Sequence, residues 1–263
     1  MAFISGTNFS EALFGTAASD TIDALGGNDF LSGEGGDDKL FGGEGLDKLN
    51  GGTGSDRLDG GPGTDTADYS KAPNGVDVNL FQGNGFDGTG SVDTLISIEN
   101  SDGSNFSDGL TGNSNPNLLR GNGGNDSIFG FGGNDILLGG QGDDFIKGGE
   151  GKDKISGGTG ADNLLYTATS DSGVGTLNRD VITGFEHGVD KINVSGIDAK
   201  AGPLGNEAFT FIGSADFSAE GQIRVFNENG NTIVQLNTSG ASGAESEIEL
   251  TGLVNPSASD FIL

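Results

Sequence analysis

The chain has no cysteine, no tryptophan, one histidine and one methionine in 263 residues. Without cysteine there can be no disulfide framework, no thiol nucleophile and no thiolate metal site. The lone histidine, His187, lies in the turn-like Glu186-His187-Gly188. A zinc protease needs two histidines one helical turn apart with a glutamate base, so that chemistry is excluded. No Gly-x-Ser-x-Gly elbow presents a serine. Positive charge is also scarce, with 12 basic residues against 39 acidic ones and a net charge of −27. Nucleic acid and anionic membrane surfaces would be repelled by that balance. No stretch approaches the roughly 18 apolar residues of a membrane span. The opening Met1-Ala2-Phe3-Ile4-Ser5-Gly6 lacks the basic region and apolar run of a signal peptide, which by itself suggests a cytoplasmic protein.

What the chain has is glycine, 52 residues of it, arranged on a nine-residue beat. Gly33-Glu34-Gly35-Gly36-Asp37-Asp38-Lys39-Leu40-Phe41 is followed in frame by the units beginning at Gly42 and Gly51. The frame holds from Gly6 to Asp68 and again from Gly103 to Leu165. In the first block the sixth place reads Glu11, Asp20, Asp29, Asp38, Asp47, Asp56 and Asp65, and in the second Asp108, Asn117, Asp126, Asp135, Asp144, Asp153 and Asp162. The eighth place is aliphatic throughout: Leu13, Ile22, Leu31, Leu40, Leu49, Leu58 and Ala67, then Leu110, Leu119, Ile128, Leu137, Ile146, Ile155 and Leu164. A disordered Gly/Asp linker would share the composition but not this register.

Glycines at the first, second and fourth places are expected to allow sharp turning at positive φ and to let carbonyls point inward. Residues seven to nine read as a very short strand with only the eighth side chain inward. One apolar side chain per nine residues is a sparse core, and the acids packed beside it repel one another. Calcium takes six to eight hard oxygen ligands, which carboxylates and carbonyls can supply. The expected ligand set is therefore Asp20 and Asp29; Gly33, Gly36 and Asp38; Gly42, Gly45 and Asp47; Gly51, Gly54 and Asp56; Gly60, Gly63 and Asp65; Gly121, Gly124 and Asp126; Gly130, Gly133 and Asp135; Gly139, Gly142 and Asp144; Gly148, Gly151 and Asp153; and Gly157, Gly160 and Asp162. Both blocks open on units with phenylalanine in the fourth place, Phe9 and Phe106, and these read as weak or non-binding caps. Asn117, beside Pro116, is a doubtful ligand.

This beat resembles the RTX, or hemolysin-type, calcium-binding nonapeptide. The resemblance implies an all-β fold of two calcium-stabilised parallel β-roll blocks, 1–68 and 103–165, joined by a β spacer at 69–102. A small C-terminal β domain at 166–263 follows. It further implies that two nonapeptides make one turn of the roll and that several Ca2+ ions lie between stacked loops; from the sparse core and the crowded acids, the repeats are expected to fold on binding them.

Within the spacer, Val76-Asp77-Val78-Asn79-Leu80 and Asp93 to Asn100 read as strands packing on the roll. Gly83-Asn84-Gly85-Phe86-Asp87-Gly88 formally fits a dinucleotide fingerprint, but no helix pattern follows it. From Tyr166 on, the nonapeptide is expected to stop. Strands are expected at Asp180 to Phe185, Asp190 to Val194, Gln222 to Asn227 and Asn231 to Leu236, the last two joined by a turn at Glu228-Asn229-Gly230. Ser246-Glu247-Ile248-Glu249-Leu250 alternates, so Glu247 and Glu249 are expected to face solvent. The stretch Asp180 to Ala199 resembles the C-terminal domain of serralysin-type secreted proteases. Asp260-Phe261-Ile262-Leu263 is similar to the tail that type I exporters read, although a last edge strand would look the same.

The expected function is that of a secreted, extracellular, non-enzymatic calcium-binding protein that folds after type I export. Its partners would be calcium, the exporter and a polysaccharide or cell-surface ligand. Paired acids such as Asp37 and Asp38 are better explained by the calcium frame than by glycosidase chemistry. The alternative is a calcium-dependent polysaccharide-binding or targeting module of a larger enzyme of alginate epimerase or serralysin type. Repeats beginning so soon after Met1 favour a stand-alone protein, and the irregular third and fifth places argue against an ice-binding ladder.

Overall fold

A computed structural model describes residues 1–200, 207–240 and 243–263. Apart from two single-turn 3-10 helices at Thr169–Asp171 and Ala258–Asp260, its regular elements are β-strands. No helix among the described residues is long and apolar enough to cross a membrane. Two compact units are present, one of residues 1–113 and 117–127, the other of residues 114–116 and 128–263.

In the first block, 6–68, each nonapeptide contributes three residues of strand, at places seven to nine. Thr21–Asp23, Lys39–Phe41 and Arg57–Asp59 pair in parallel in one sheet, while Ala12–Phe14, Phe30–Ser32, Lys48–Asn50 and Thr66–Asp68 pair in parallel in another. Each eighth-place residue meets the one two units on, Ile22 against Leu40 and Leu31 against Leu49. Alternate units therefore feed opposite sheets, the arrangement of a β-roll. Ile22, Leu31, Leu40, Leu49, Leu58 and Ala67 are fully buried. Period-two alternation over so short a strand leaves one inward side chain per unit.

The spacer does not lie on this roll but is threaded into it. Val92–Ile96 pairs in parallel with Arg57–Asp59, then antiparallel with Asn84–Phe86, which pairs antiparallel with Asp77–Asn79. That last strand pairs in parallel with Gly109–Thr111. In the other sheet Asn100–Asp102 sits between Thr66–Asp68 and Leu118–Arg120. Of the dinucleotide-like glycines, Gly85 falls on an extended strand and Gly83 and Gly88 in the turns on either side of it, with no helix following.

In the second unit the expectation that the repeat stops at Leu165 is corrected. Asp180–Ile182 pairs on Lys154–Ile155, and Lys191–Asn193 pairs on Asn163–Leu165, both in parallel as successive rungs. Phe261–Ile262 then pairs with Ile192–Asn193. The other sheet ends in a meander in which Ser246–Leu250 pairs with Asn231–Asn237, and that strand with Gln222–Glu228. Its hairpin turns through Asn229 and Gly230, both at positive φ, with Glu228 paired opposite Asn231.

Glu247 does not face solvent as the alternation implied. It is buried, and its carboxylate receives Arg179 at 3.2 Å, Gln235 at 2.6 Å and the Gly175 N–H at 2.8 Å. Glu249 turns to the same guanidinium at 2.9 Å. Arg179 lies over that face of the strand and makes it an interior one. A charged partner from a distant segment has no signature in a period-two pattern.

Candidate metal sites

In the first block places one to six of each unit form a loop, and in the second most strands run on into the third place of the next unit, as Ser127–Gly132 does; in both the sixth residue is the last before the chain straightens. Strand pairing eighteen residues apart stacks these loops and brings sixth-place carboxylates into rows. Along these rows Oδ1 accepts the backbone N–H of the sixth-place residue two units earlier. Asp47 accepts from Asp29 at 2.8 Å, Asp56 from Asp38 at 2.7 Å and Asp65 from Asp47 at 2.8 Å. In the second unit Asp153 accepts from Asp135 at 2.8 Å and Asp162 from Asp144 at 3.0 Å. Asp126 accepts from Asp108 at 2.8 Å. Acids outside the frame complete the rows: Asp93 and Glu99 take the N–H of Asp56 and Asp65, and Asp180 and Asp190 those of Asp153 and Asp162.

The other oxygen is different. Oδ2 of Asp29, Asp38, Asp47, Asp56, Asp65, Asp153 and Asp162 is buried with no hydrogen-bond partner. A buried carboxylate oxygen without a donor is costly. Burial, abetted by neighbouring acids, pushes Asp38 up to about 7 and Asp56, Asp65, Asp153 and Asp162 up to about 6. Burial beside Asp153 raises Asp180 to about 9. These groups need either a proton or a cation.

The glycines show where a cation fits. A Cβ on Gly33 would lie 2.2 Å from Oδ2 of Asp38 and 2.4 Å from the Gly51 carbonyl oxygen. On Gly139 it would lie 2.1 Å from Oδ2 of Asp144 and 2.4 Å from the Gly157 carbonyl oxygen. Gly42, Gly51, Gly60, Gly130, Gly148 and Gly157 are crowded in the same way by the aspartate of their own loop. The first-place glycine is therefore required for room and not for positive φ, which corrects the conformational reason expected for it. It leaves a carboxylate oxygen and a carbonyl oxygen facing one space. Among the described residues no three His, Asp or Glu side chains converge as a metal cluster. A cation in that space would meet a sixth-place carboxylate and a main-chain carbonyl, hard oxygens that suit calcium.

The second and fourth places are the ones that turn. Gly36, Gly45, Gly54, Gly124, Gly133, Gly142, Gly151 and Gly160 have positive φ at the fourth place, whereas Gly63 does not. At the second place positive φ is found in Gly43, Gly52, Gly61, Gly140, Gly149 and Gly158, and equally in Leu25, Glu34, Asn122 and Phe131.

Asp20 departs from the expected set. Its Oδ2 accepts both the N–H and the hydroxyl of Thr16, each at 2.7 Å. The Thr16 hydroxyl and the Ala2 N–H hold it below the usual carboxylate range. Asp108 is likewise closed by Ser104. Asn117, the doubtful ligand, accepts the Asn113 N–H at 2.8 Å and donates to the Glu99 carbonyl.

Two features escaped the sequence reading. Fifth-place side chains form a second row, running opposite to the first: Ser19 accepts from Asp37, Asn28 from Leu46, Asp37 from Ser55, and Asn134 from Lys152. The short acceptors Ser, Asn and Asp at that place were the signal. The second is the continued beat, since Asp190-Lys191-Ile192-Asn193 repeats Asp47-Lys48-Leu49-Asn50, with Gly188 at the fourth place.

The family model of the RTX calcium-binding nonapeptide repeat (4 copies) matches residues 5–40, 32–67, 102–135, 111–146 and 129–164. No curated protein matches the chain. Among solved structures it is similar to the extracellular lipase LipA from Serratia marcescens, with a TM-score of 0.36 and 17% identity over 96% of this chain and 40% of that one. It is also similar to the AlgE6R3 subunit of the Azotobacter vinelandii mannuronan C5-epimerase, with a TM-score of 0.28 and 27% identity over 60% of this chain and 78% of that one. The chain spans 40% of the lipase's length.

Proposed function

The chain is an RTX-repeat protein, and from that premise we propose that it is a secreted, non-enzymatic calcium-binding protein whose roll folds when it meets calcium after type I export. The observation that carries the reading is the row of buried aspartates whose Oδ2 atoms, in Asp38, Asp47 and Asp56 for example, find no donor among the described residues. A solenoid with one apolar side chain per nine residues and such acids beside it needs an external cation for cohesion. Extracellular calcium modules commonly bind at about 10⁻⁴–10⁻³ M, a range met outside cells and not in cytosol.

His187, the single histidine, has its Nδ1 engaged at 2.8 Å by Asp260. The same contact bears on export. Asp260 is buried and also accepts the N–H groups of Gly188 and Ser257, while Phe261 joins the sheet and stacks on Phe211 at 5.2 Å. A tail so enclosed could be read by an exporter only while the chain is unfolded, which couples recognition to low calcium.

The test is a far-UV circular dichroism titration of the chelator-stripped chain. A β signal that grows between micromolar and millimolar calcium supports the proposal, and an identical signal in chelator refutes it.

A further inference from the structure

We propose that the second residue of each loop decides whether its sixth-place carboxylate takes a calcium ion or is closed within the chain. The inference rests on the calcium-binding reading above. Loops fall into two classes by one backbone angle. Where the second residue is at positive φ, no bond from it to the carboxylate is seen among the described residues, and Gly43 donates its N–H to the Gly60 carbonyl at 3.0 Å instead. In that class Asp29 and Asp38, behind Leu25 and Glu34, keep Oδ2 without a donor.

In the other class the second residue is not at positive φ, and it turns inward. Thr7 gives N–H and hydroxyl to Glu11 at 2.9 and 2.8 Å. Thr16 does the same for Asp20, Ser104 for Asp108 at 2.5 and 2.7 Å, and Thr167 for Asp171 at 2.7 and 3.1 Å. Asp171 has in addition an ammonium from the chain, Lys147 at 3.6 Å. The hydroxyl and amide occupy the carboxylate lone pairs that a cation would use. Threonine holds this state because a β-branched residue at positive φ is strongly disfavoured, whereas glycine or an unbranched side chain tolerates the turned-out state. The loop of Asp180 stands outside both classes: its second residue, Thr176, is not at positive φ and yet Oδ2 has no donor among the described residues, and positive φ falls instead on Gly175, the first place.

The second place is thus a specificity determinant. It withdraws Asp20 from the ligand set and makes the loops of Asp20, Asp108 and Asp171 self-sufficient. The test is calorimetric calcium titration of the full chain, with circular dichroism in calcium to show that each variant is folded. Glu34→Thr should bind one ion fewer than the unaltered protein, while Glu34→Gly keeps the count. Thr16→Gly should bind one ion more, at Asp20. If Glu34→Thr does not fold, Thr16→Gly decides alone, since its loop lies in the opening units and is partly exposed. Unchanged ion counts in folded variants would overturn this inference only. Failure of the unaltered protein to take up calcium at all would overturn the parent reading with it.

Discussion

Asp47 and Glu247 are both acids buried against a β-sheet, and the chain treats them in opposite ways. Around Glu247 it supplies its own cation: Arg179 reaches Glu228 at 2.6 Å, Glu247 at 3.2 Å and Glu249 at 2.9 Å. Hydrogen bonds and this guanidinium hold the Glu247 carboxyl below its usual range in spite of burial. Around Asp47 no such group is found among the described residues. One oxygen is bonded by the Asp29 N–H, the other is left without a donor, and burial raises the carboxyl. The meander at Gln222–Leu250 is built to be complete, with Ile223, Ile233, Val234, Leu236, Ile248 and Leu250 all buried. The repeat loops instead bury carboxylate oxygens that have no donor among the described residues.

The largest effect should come from removing calcium. With chelator present, the amides of Asp38 and Asp47 should exchange hydrogen at close to unfolded rates, while those of Ile233 and Val234 remain protected. Uniform exchange in both places would erase the contrast.

Next comes Arg179→Ala, which leaves Glu247 buried without its counter-charge. A loss of about 3–5 kcal/mol is expected, measurable by denaturant unfolding and accompanied by partial recovery on adding Glu247→Gln. Because this cation belongs to the chain, the loss should persist at saturating calcium.

Leu49→Ala empties an eighth-place position that is fully buried. In calcium it should cost roughly 2–5 kcal/mol, yet in chelator it should change nothing, since the roll it supports is not formed.

The smallest effect is one of pH, and its sign separates the two regions. The folded carboxyls of Asp38, Asp56, Asp153 and Asp162 are raised to about 6 or 7. Their protonation favours the metal-free fold, fully below the ordinary value of 3.8, and that support is lost as pH rises through 6 to 7. Acidifying chelated protein from pH 7.5 to 5 should therefore recover some β signal. Glu247 is lowered, so its contribution is present above its ordinary 4.5 and is lost only as pH falls through the lower folded value. Calcium affinity at the repeat loops should weaken over the same range in which the apo fold strengthens.

Much of the roll could be read from the sequence, because a nine-residue beat with an aliphatic eighth place translates directly into strand and core. Gly33 and Asp38 were legible as partners for the same reason. What could not be read depends on contacts between loops that a single unit does not contain. Thr16 and Glu34 look like interchangeable polar substitutions in the frame, and only the sign of φ separates a closed loop from an open one. The rungs at Asp180 and Asp190 were hidden because the spacing between sixth-place residues changes there from 18 to 27 and 28. Glu247 was misread because its partner lies 68 residues away.

Because each rung of the roll bonds to the one eighteen residues on, the chain is effectively double-stranded in its own sequence, with odd and even units belonging to different walls. Excising one nonapeptide from within a block would transfer every later strand to the opposite wall and mismatch both rows of side-chain bonds at the splice. Excising two would shorten the block by one storey and leave its architecture intact. Length in such a protein is quantised in steps of eighteen, and the inserted segment at 69–102 is the kind of adaptor needed wherever that arithmetic is broken.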